Sequence, residues 1–374
     1  MFTTKKIAIV SVINDLVTDH RVNKTCYTLL NEGYEVLLIG RKLNNSTDLP
    51  VWPFKTCRMN LLVNKGPLFY MLFNCNLFFK LLFKKCDLLY ANDLDTLLPN
   101  YLISKIKRIP IIYDSHELFC EVPELKSSPL KRKIWLSVEG WIVPKLKNCI
   151  SVNKSIASIY NEKYKVHFHV VRNIPDTPTN FIPKSRAELN LPTDKFILIL
   201  QGAGINIDRG AEELLEAMQK TSNAYLLIIG SGDVWTQLTK LQAELKLQNK
   251  VKLIPKLSKR DLMQYTFNAD LGISIDKPNN LNYLNSLPNK IFDYLHAGLP
   301  ILASRLPELE QLINNYKVGT FIENHQPNHI AEVINQLIVS PLLKDFKLNT
   351  EVASNELNWQ TEQLELINVI RSIK

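Results

Sequence analysis

The chain has 374 residues, 46% of them apolar and 22% charged. That is long for one domain and enough for two, each with its own core. The net charge is +9 and the pI about 9.1, a balance that suits anionic partners (phosphorylated substrates, nucleic acid or an anionic membrane) without choosing among them. The six cysteines, at 26, 57, 75, 86, 120 and 149, all lie in the first half, and none is spaced as CxxC. They show neither a zinc pattern nor a disulfide framework, and they fit reduced thiols in a cytosolic protein.

Apolar runs alternate with helical patterns along the whole chain. The first run, KIAIVSV (6–12), follows Lys5-Lys6 and superficially looks like a signal peptide. It is short, lacks a small-residue cleavage site and meets Asp15, Asp19 and His20 at once, so a first buried strand is the expectation. The loop after it, NDLVTDHRV (14–22), contains no GxGxxG, which argues against a dinucleotide oxidoreductase. Asp15, Asp19 and Arg21 are read either as lining an acceptor cleft or as solvated residues at a helix start. Further strands are expected at 34–40, 87–92, 110–115, 149–152 and 167–173, with helices over Arg21 to Glu32 and Asp95 to Lys107. This is the βαβ alternation of a doubly wound parallel sheet.

Two stretches of the first half are unusually aromatic and basic. GPLFYMLFNCNLFFKLLFKK (66–85) carries Lys80, Lys84 and Lys85, and KRKIWLSVEGWIVPKLK (131–147) adds two tryptophans. Both read either as helices at an anionic membrane interface or as core helices with snorkelling lysines. In ANDLDT (91–96), Asp93-Leu94-Asp95 has the look of a metal-binding Asp-x-Asp; the reading preferred here is that Asp95 caps the following helix. In IIYDSHELF (111–119), His116 and Glu117 sit just past an apolar strand, where open α/β sheets bind ligands. A lone histidine there is also a common packing or capping residue.

Prolines at 175, 178, 183 and 192 mark a boundary over 174–194, after which the cycle restarts. Strands are expected at 196–202, 224–232, 250–256, 271–275, 300–304 and 319–323. QGAGINIDRGAEELLEAM (201–218) follows a strand and opens a helix: Gly202 and Gly204 let backbone approach a ligand, and Arg209-Gly210 brings a cation. Gly230 and Gly232 of the next turn are taken as structural. LPNKIFDYLHAGLPILAS (287–304) combines a helix start at Pro288 with Asn289 and Lys290 at its positive end, Asp293 one turn in, and a Gly298–Pro300 exit into a strand. Asp293 is either a solvated carboxylate or an acceptor for sugar hydroxyls.

This last stretch resembles the C-terminal signature of the retaining, GT-B-fold glycosyltransferases of family 4, roughly Asn-Lys-hydrophobic-Phe-Glu-Tyr-hydrophobic-x-Ala-Gly-x-Pro. The loop at 201–218 resembles that family's first C-domain loop, and Asp114-Ser115-His116-Glu117 its Asp-x-His-Glu segment. The order of matches covers most of the chain. The resemblance implies two tandem Rossmann-like domains with an interdomain cleft: residues 1–173 for the acceptor, a linker at 174–194, residues 195–350 for a nucleotide-sugar, and a terminal helix at 351–374 crossing back.

The resemblance also implies roles. Asp293 stands where a Glu grips the ribose, Arg209 and Lys290 face the diphosphate, and His116 reaches the donor sugar. Lys256 and Leu257 line the base pocket, and Gly202, Gly204 and Asn289 complete the donor contacts. No metal and no cofactor are expected, because Arg209, Lys290 and helix N-termini offset the charge on the leaving diphosphate. The partners implied are a nucleoside-diphosphate sugar, a glycan or lipid-linked acceptor and an anionic membrane surface, not nucleic acid; the expected place is the cytoplasm or the inner face of the membrane. Two positions depart from the pattern. Asn285 stands where a first Glu lies eight positions before the second, and Gly204 stands where another Arg is common. The acceptor-rich turn NYLNSLPN is a candidate replacement for the missing Glu. These departures keep open a sugar-nucleotide epimerase and an inactive membrane- or partner-binding subunit.

Overall fold

The computed structural model describes residues 5–17, 19–44, 46–176 and 181–373; Pro178, one of the boundary prolines, lies outside them. The chain divides into two compact units. The first contains residues 1–173, 280–282 and 362–374, and the second contains residues 174–279 and 283–361.

The first unit is built on a seven-stranded sheet of β1 (Ile7–Asp15), β2 (Glu35–Arg41), β3 (Lys55–Met59), β4 (Leu88–Asn92), β5 (Ile111–Ser115), β6 (Asn148–Ser151) and β7 (Phe168–Val170). Its spatial order is β3-β2-β1-β4-β5-β6-β7, with every ladder parallel. The order reverses between β1 and β4, the switch point at which such sheets take ligands. Helices supply the crossovers. Helix Gly66–Phe83 sends Phe69, Phe73, Leu77 and Leu81 into the core at intervals of four residues, each burial stabilising by about 1.5–3 kcal/mol. The sequence reading missed β3. KTCRM is a sheet edge, paired only with β2 and only half buried, so it carries no apolar run to announce it.

The second unit holds a six-stranded sheet of β8 (Phe196–Gly202), β9 (Ala224–Gly230), β10 (Val251–Pro255), β11 (Leu271–Ser274), β12 (Ile301–Ser304) and β13 (Gly319–Ile322). Its order is β10-β9-β8-β11-β12-β13, again all parallel. Along β8 and β9, Leu198, Leu200, Leu226 and Ile228 face one core, while Ile197, Ile199, Leu227 and Ile229 face the other. A sheet covered on both faces needs apolar side chains at every position, which is why these strands read as unbroken apolar runs. Here the switch point lies between β8 and β11, and the residues leaving these two strands build the candidate site.

The helix expected to open at Asp95 begins at Leu94. Asp93 occupies the cap position without a capping bond, and Asp95 is buried inside the first turn. Asp93 sits at φ 60°, and its carboxylate is engaged by His116, just past β5, rather than by the helix N–H groups.

Candidate functional site

The loop leaving β8 is held from two sides. On one side the turn after β9 braces it. Ile205 N–H donates to Ser231 O at 2.7 Å, and Ile207 N–H donates to Asp233 Oδ1 at 3.0 Å. A Cβ at Gly230 or Gly232 would come within 1.8 and 2.0 Å of backbone oxygens, so both glycines serve close packing, as expected. At Gly202 and Gly204 the contrast is complete: the nearest atoms to an added Cβ are 3.8 and 3.6 Å away. A side chain at either position would make only ordinary van der Waals contacts, so close packing does not demand glycine there.

On the other side the segment after β11 braces the loop. Gly210, at φ 75°, packs so closely on Ile275 that a Cβ would meet its carbonyl oxygen at 2.4 Å. Lys277 N–H donates to Asp208 O at 2.8 Å, and Lys277 Nζ pairs with Glu213. Arg209 therefore points along a defined direction. Its Nη1 donates to Asp276 Oδ2 at 2.6 Å, and its guanidinium lies 3.9 Å from the centre of the Tyr283 ring. Lys290, the first residue of helix Lys290–His296, brings its Nζ to 3.7 Å from Asp276 Oδ1. The two predicted cations thus meet on one buried carboxylate that sequence reasoning did not single out. Burial disfavours the charge on Arg209, but Asp276 and Tyr283 outweigh it and its proton is held more tightly than usual. For Lys290 the burial wins: its proton is held less tightly than usual, with Asp276 opposing and Arg209 adding to the loss.

Asp293 lies in the same helix but serves a different group. Its Oδ2 accepts from Gln201 Nε2 at 3.1 Å, and its Oδ1 lies 3.5 Å from Lys259 Nζ. Gln201 is oriented in turn by Thr266, whose hydroxyl donates to Oε1 at 2.7 Å. These residues line a recess with Pro175 and His296. The helix ends at Gly298, φ 72°, with Leu299 N–H returning to Tyr294 O at 2.9 Å, the glycine exit the sequence predicts. Lys256 and Asn289 are exposed, and Leu257 packs against the core beneath β10. Asp261 lies in the first turn of helix Lys259–Thr266, and its N–H donates to the capping Ser258 Oγ at 3.2 Å.

In the first unit the chemistry collects at the carboxyl ends of β4 and β5. His116 is held twice by Asp93: its backbone N–H donates to Oδ1 at 2.8 Å, and its Nδ1 lies 3.1 Å from Oδ2. Its Nε2 is 3.6 Å from Asp114 Oδ2. Asp114 is fully buried and clamped by Arg21 Nη2 at 2.7 Å, Arg21 Nε at 3.0 Å and the Tyr90 hydroxyl at 2.9 Å. Burial opposes the charge on Asp114, yet Arg21 and His116 hold its carboxyl far below the ordinary range. Burial likewise opposes a charged His116, and Asp93 and Asp114 prevail, raising it well above an ordinary imidazole. Glu117 goes the other way, pushed up to about 7 by burial and by Asp93, with the Asn282 amide, 3.0 Å from its Oε2, resisting. Asp95 is also raised, by burial first and then by Asp93.

In the loop after β1 the helix-start reading holds for Asp19 alone. Arg21 is buried against Asp114, Asp19 caps its helix by accepting from Val22 N–H at 3.2 Å, and Asp15 pairs with Arg58 at 2.9 Å and with Ser46. The NYLNSLPN turn is divided between the two units. Asn282 belongs to the first unit, where its Oδ1 accepts from Leu118 N–H at 3.1 Å, while Tyr283 belongs to the second, beneath Arg209. Asp276, Gln201, Lys259 and Asp93 were missed. A signal for Asp276 and Gln201 is present in the sequence: each is a polar residue at or just past the carboxyl end of an apolar strand at the switch point.

Residues 181–355 match the family described as glycosyl transferases group 1. Among curated proteins, the chain is 24% identical over 193 residues to a chitobiosyldiphosphodolichol beta-mannosyltransferase of Candida albicans, covering 48% of this chain and 41% of that protein. It is 25% identical over 164 residues to a lipopolysaccharide core biosynthesis glycosyltransferase of Rhizobium meliloti, covering 44% and 45%. The chain thus spans less than half the length of either relative. Among solved structures, sucrose-phosphate synthase from Thermosynechococcus elongatus superposes with a TM-score of 0.80 at 18% identity, over 99% of both chains. The Anabaena protein HepE in complex with UDP-glucose superposes with a TM-score of 0.72 at 14% identity, over 98% of this chain and 99% of that one. These likenesses show the α/β fold of two sheets typical of GT-B proteins, and the family match with its relatives supports a glycosyltransferase.

Proposed function

We propose that this chain, a glycosyltransferase of the group 1 kind with a GT-B fold, moves a sugar from a nucleoside-diphosphate sugar to an acceptor hydroxyl with retention at the anomeric carbon. The observation that carries the reading is the convergence of Arg209 and Lys290, from two different loops, at the switch point of the second sheet. In the same loop as Arg209, close packing does not account for the glycines at 202 and 204, where an added Cβ would make only ordinary contacts. A site of this kind stabilises the charge that develops on a departing diphosphate. Asp293 is assigned to the ribose hydroxyls, Lys256 and Leu257 to the base, Asn289 to the diphosphate and His116 to the transferred sugar. The nucleotide-sugar is a substrate, and neither a metal nor a resident cofactor enters this reading. The UDP-glucose of the HepE complex is in keeping with such a donor.

The test is incubation of the full chain with UDP-, GDP- and ADP-sugars and candidate acceptors, with the anomeric configuration of the product read by NMR. Transfer with retention is expected. Inverted product would sink the mechanism, conversion of donor to its epimer would favour the epimerase, and nucleotide binding without any turnover would favour the inactive subunit.

The acceptor is assigned to a lipid-linked glycan of cell-envelope or glycolipid synthesis, on one further observation. Helix Gly66–Phe83 is apolar all round. Besides its buried seam it exposes Leu68, Met71, Phe79 and Phe83 at helical spacing, the last two 56% and 81% accessible. It is long and apolar enough to span a membrane, but its buried seam belongs to the core, which fits a helix lying at a surface rather than crossing it. Helix Pro129–Ile142, joined to it by the Tyr70–Trp135 ring contact, exposes Leu130, Ile134 and Trp141 beside Lys131 and Lys133. Each surface lysine would add about 1 kcal/mol of attraction to an anionic leaflet. Co-sedimentation with phosphatidylserine vesicles should weaken with salt and fall on Lys80→Glu, Lys84→Glu and Lys85→Glu together; indifference to such vesicles at low salt would favour a soluble acceptor.

A further inference from the structure

Asp276 is the group on which the two cations are built. It lies two residues past the end of β11 and is 0% exposed. Its Oδ2 accepts from Arg209, while among the described residues its Oδ1 has no hydrogen-bond partner and faces Lys290 Nζ at 3.7 Å. The backbone on both sides is held by contacts. Ile275 O abuts Gly210 and lies 3.1 Å from His325 Nε2, which also contacts Ser304 Oγ at 3.0 Å. Lys277 is pinned to Asp208 and Glu213. These contacts fix the place from which the Asp276 carboxylate reaches the two cations.

We propose that Asp276 is a positioning residue of the diphosphate site: it aims Arg209 and Lys290 at one point and keeps the Lys290 ammonium charged beside the guanidinium. The inference rests on the diphosphate reading given above. Two cations crowded into a poorly solvated corner repel each other. Arginine does not give up its proton, so the lysine would do so, leaving a neutral amine where a cation is needed. One buried anion removes that outcome. Two positive charges less one negative charge leave a net +1 facing the ligand. A lone carboxylate near a diphosphate would ordinarily repel it, so the opposite role, a carboxylate that competes with the ligand for the cations, makes the opposite prediction.

The experiment is calorimetric titration of UDP, GDP and ADP into the full chain, for the wild type, Asp276→Asn, Asp276→Glu, Arg209→Ala and Lys290→Ala, between about pH 6 and pH 9. The groups that bear on the titration are Asp276 and Arg209 around Lys290, Tyr283 against Arg209, and His325 beside the backbone of Asp276. Asp276→Asn should weaken the best of the three nucleotides by about tenfold at the alkaline end, and the deficit should shrink as pH falls and Lys290 regains its proton. Asp276→Glu should bind less well than wild type yet keep the wild-type pH profile, because the charge remains; this variant carries the test if Asp276→Asn fails to fold. A merely structural role would not move the pH profile. Unchanged or tighter binding in folded Asp276→Asn, or a shifted profile in Asp276→Glu, overturns the proposal. If Arg209→Ala and Lys290→Ala also bind like wild type, or wild type binds none of the three nucleotides, the diphosphate reading itself falls and the proposal with it. If they weaken binding and Asp276→Asn does not, only the positioning role falls.

Discussion

The two units solve opposite electrostatic problems with the same few groups. In the second, one buried anion, Asp276, serves two cations, Arg209 and Lys290, and the cluster keeps a surplus positive charge. In the first, Asp93 and Asp114 bracket His116, with Arg21 on the far side of Asp114, so that two anions balance two cations. Accessibility separates them further. Arg21 and Asp114 are both almost fully buried, whereas Arg209 stays a quarter exposed beside its buried partner. A closed pair can only hold structure; an open one has a face left for a ligand. The difference teaches that ion-pair distance alone says little about role: both pairs lie at 2.6–2.7 Å.

The comparison breaks most visibly at the closed pair. Asp114→Ala leaves Arg21 buried without its counter-charge, and we expect a loss of roughly 3–5 kcal/mol of stability, read by urea denaturation. A variant as stable as wild type would mean that Arg21 has found water, and the contrast between closed and open pairs would fail.

Next comes a pH effect confined to the first unit. Glu117 is raised from 4.5 to about 7 in the folded protein. The folded state therefore binds more protons than the unfolded state between these values, so stability falls as pH rises from about 4.5 to 7 and is level above. The full span is worth roughly 3 kcal/mol. Glu117→Gln, which can still accept from Asn282, should flatten the profile in that window. An unaltered slope in the variant would transfer the effect to another group.

At the open pair the loss should be functional. Arg209→Ala or Lys290→Ala should each cost roughly 1.5–3 kcal/mol of nucleotide affinity, tenfold or more, while the melting temperature stays near wild type. A large drop in melting temperature with affinity intact would make this pair structural too. His116→Ala should lower kcat by about tenfold and spare nucleotide affinity, since its assigned contact is to sugar; undiminished turnover would return it to a packing role. The smallest change is expected at Asp293, where the carboxylate already has Gln201 and Lys259 as partners. Asp293→Asn should weaken free nucleotide and nucleotide-sugar alike by about 1 kcal/mol, and Asp293→Glu should be tolerated; equal nucleotide affinity in Asp293→Ala would remove the ribose assignment.

Much of this molecule was legible from local pattern. Strands buried on both faces cannot avoid being continuous apolar runs, so β1, β4, β5, β8 and β9 announced themselves, as did the glycine-ended helix before β12. The cations Arg209 and Lys290 were legible because each stands where a loop meets a helix. Where local pattern is weak, the reading failed: β3 is a half-buried edge, and Asp95 has the spelling of a cap but lies inside the first turn of the helix, with Asp93 at positive φ in the cap position. What only the tertiary structure decided is partnership. Asp276 and Arg209 are 67 residues apart, Gln201 and Asp293 are 92, and Arg21 and Asp114 are 93. No periodicity links such positions. They meet because parallel strands must cross over before they pair, and that crossover gathers the ends of strands distant in sequence at one edge of the sheet. The sequence by itself determined which segments become strands and which loops carry charge; the sheet order determined which charges face one another, and so which carboxylate locks a core and which aims a site.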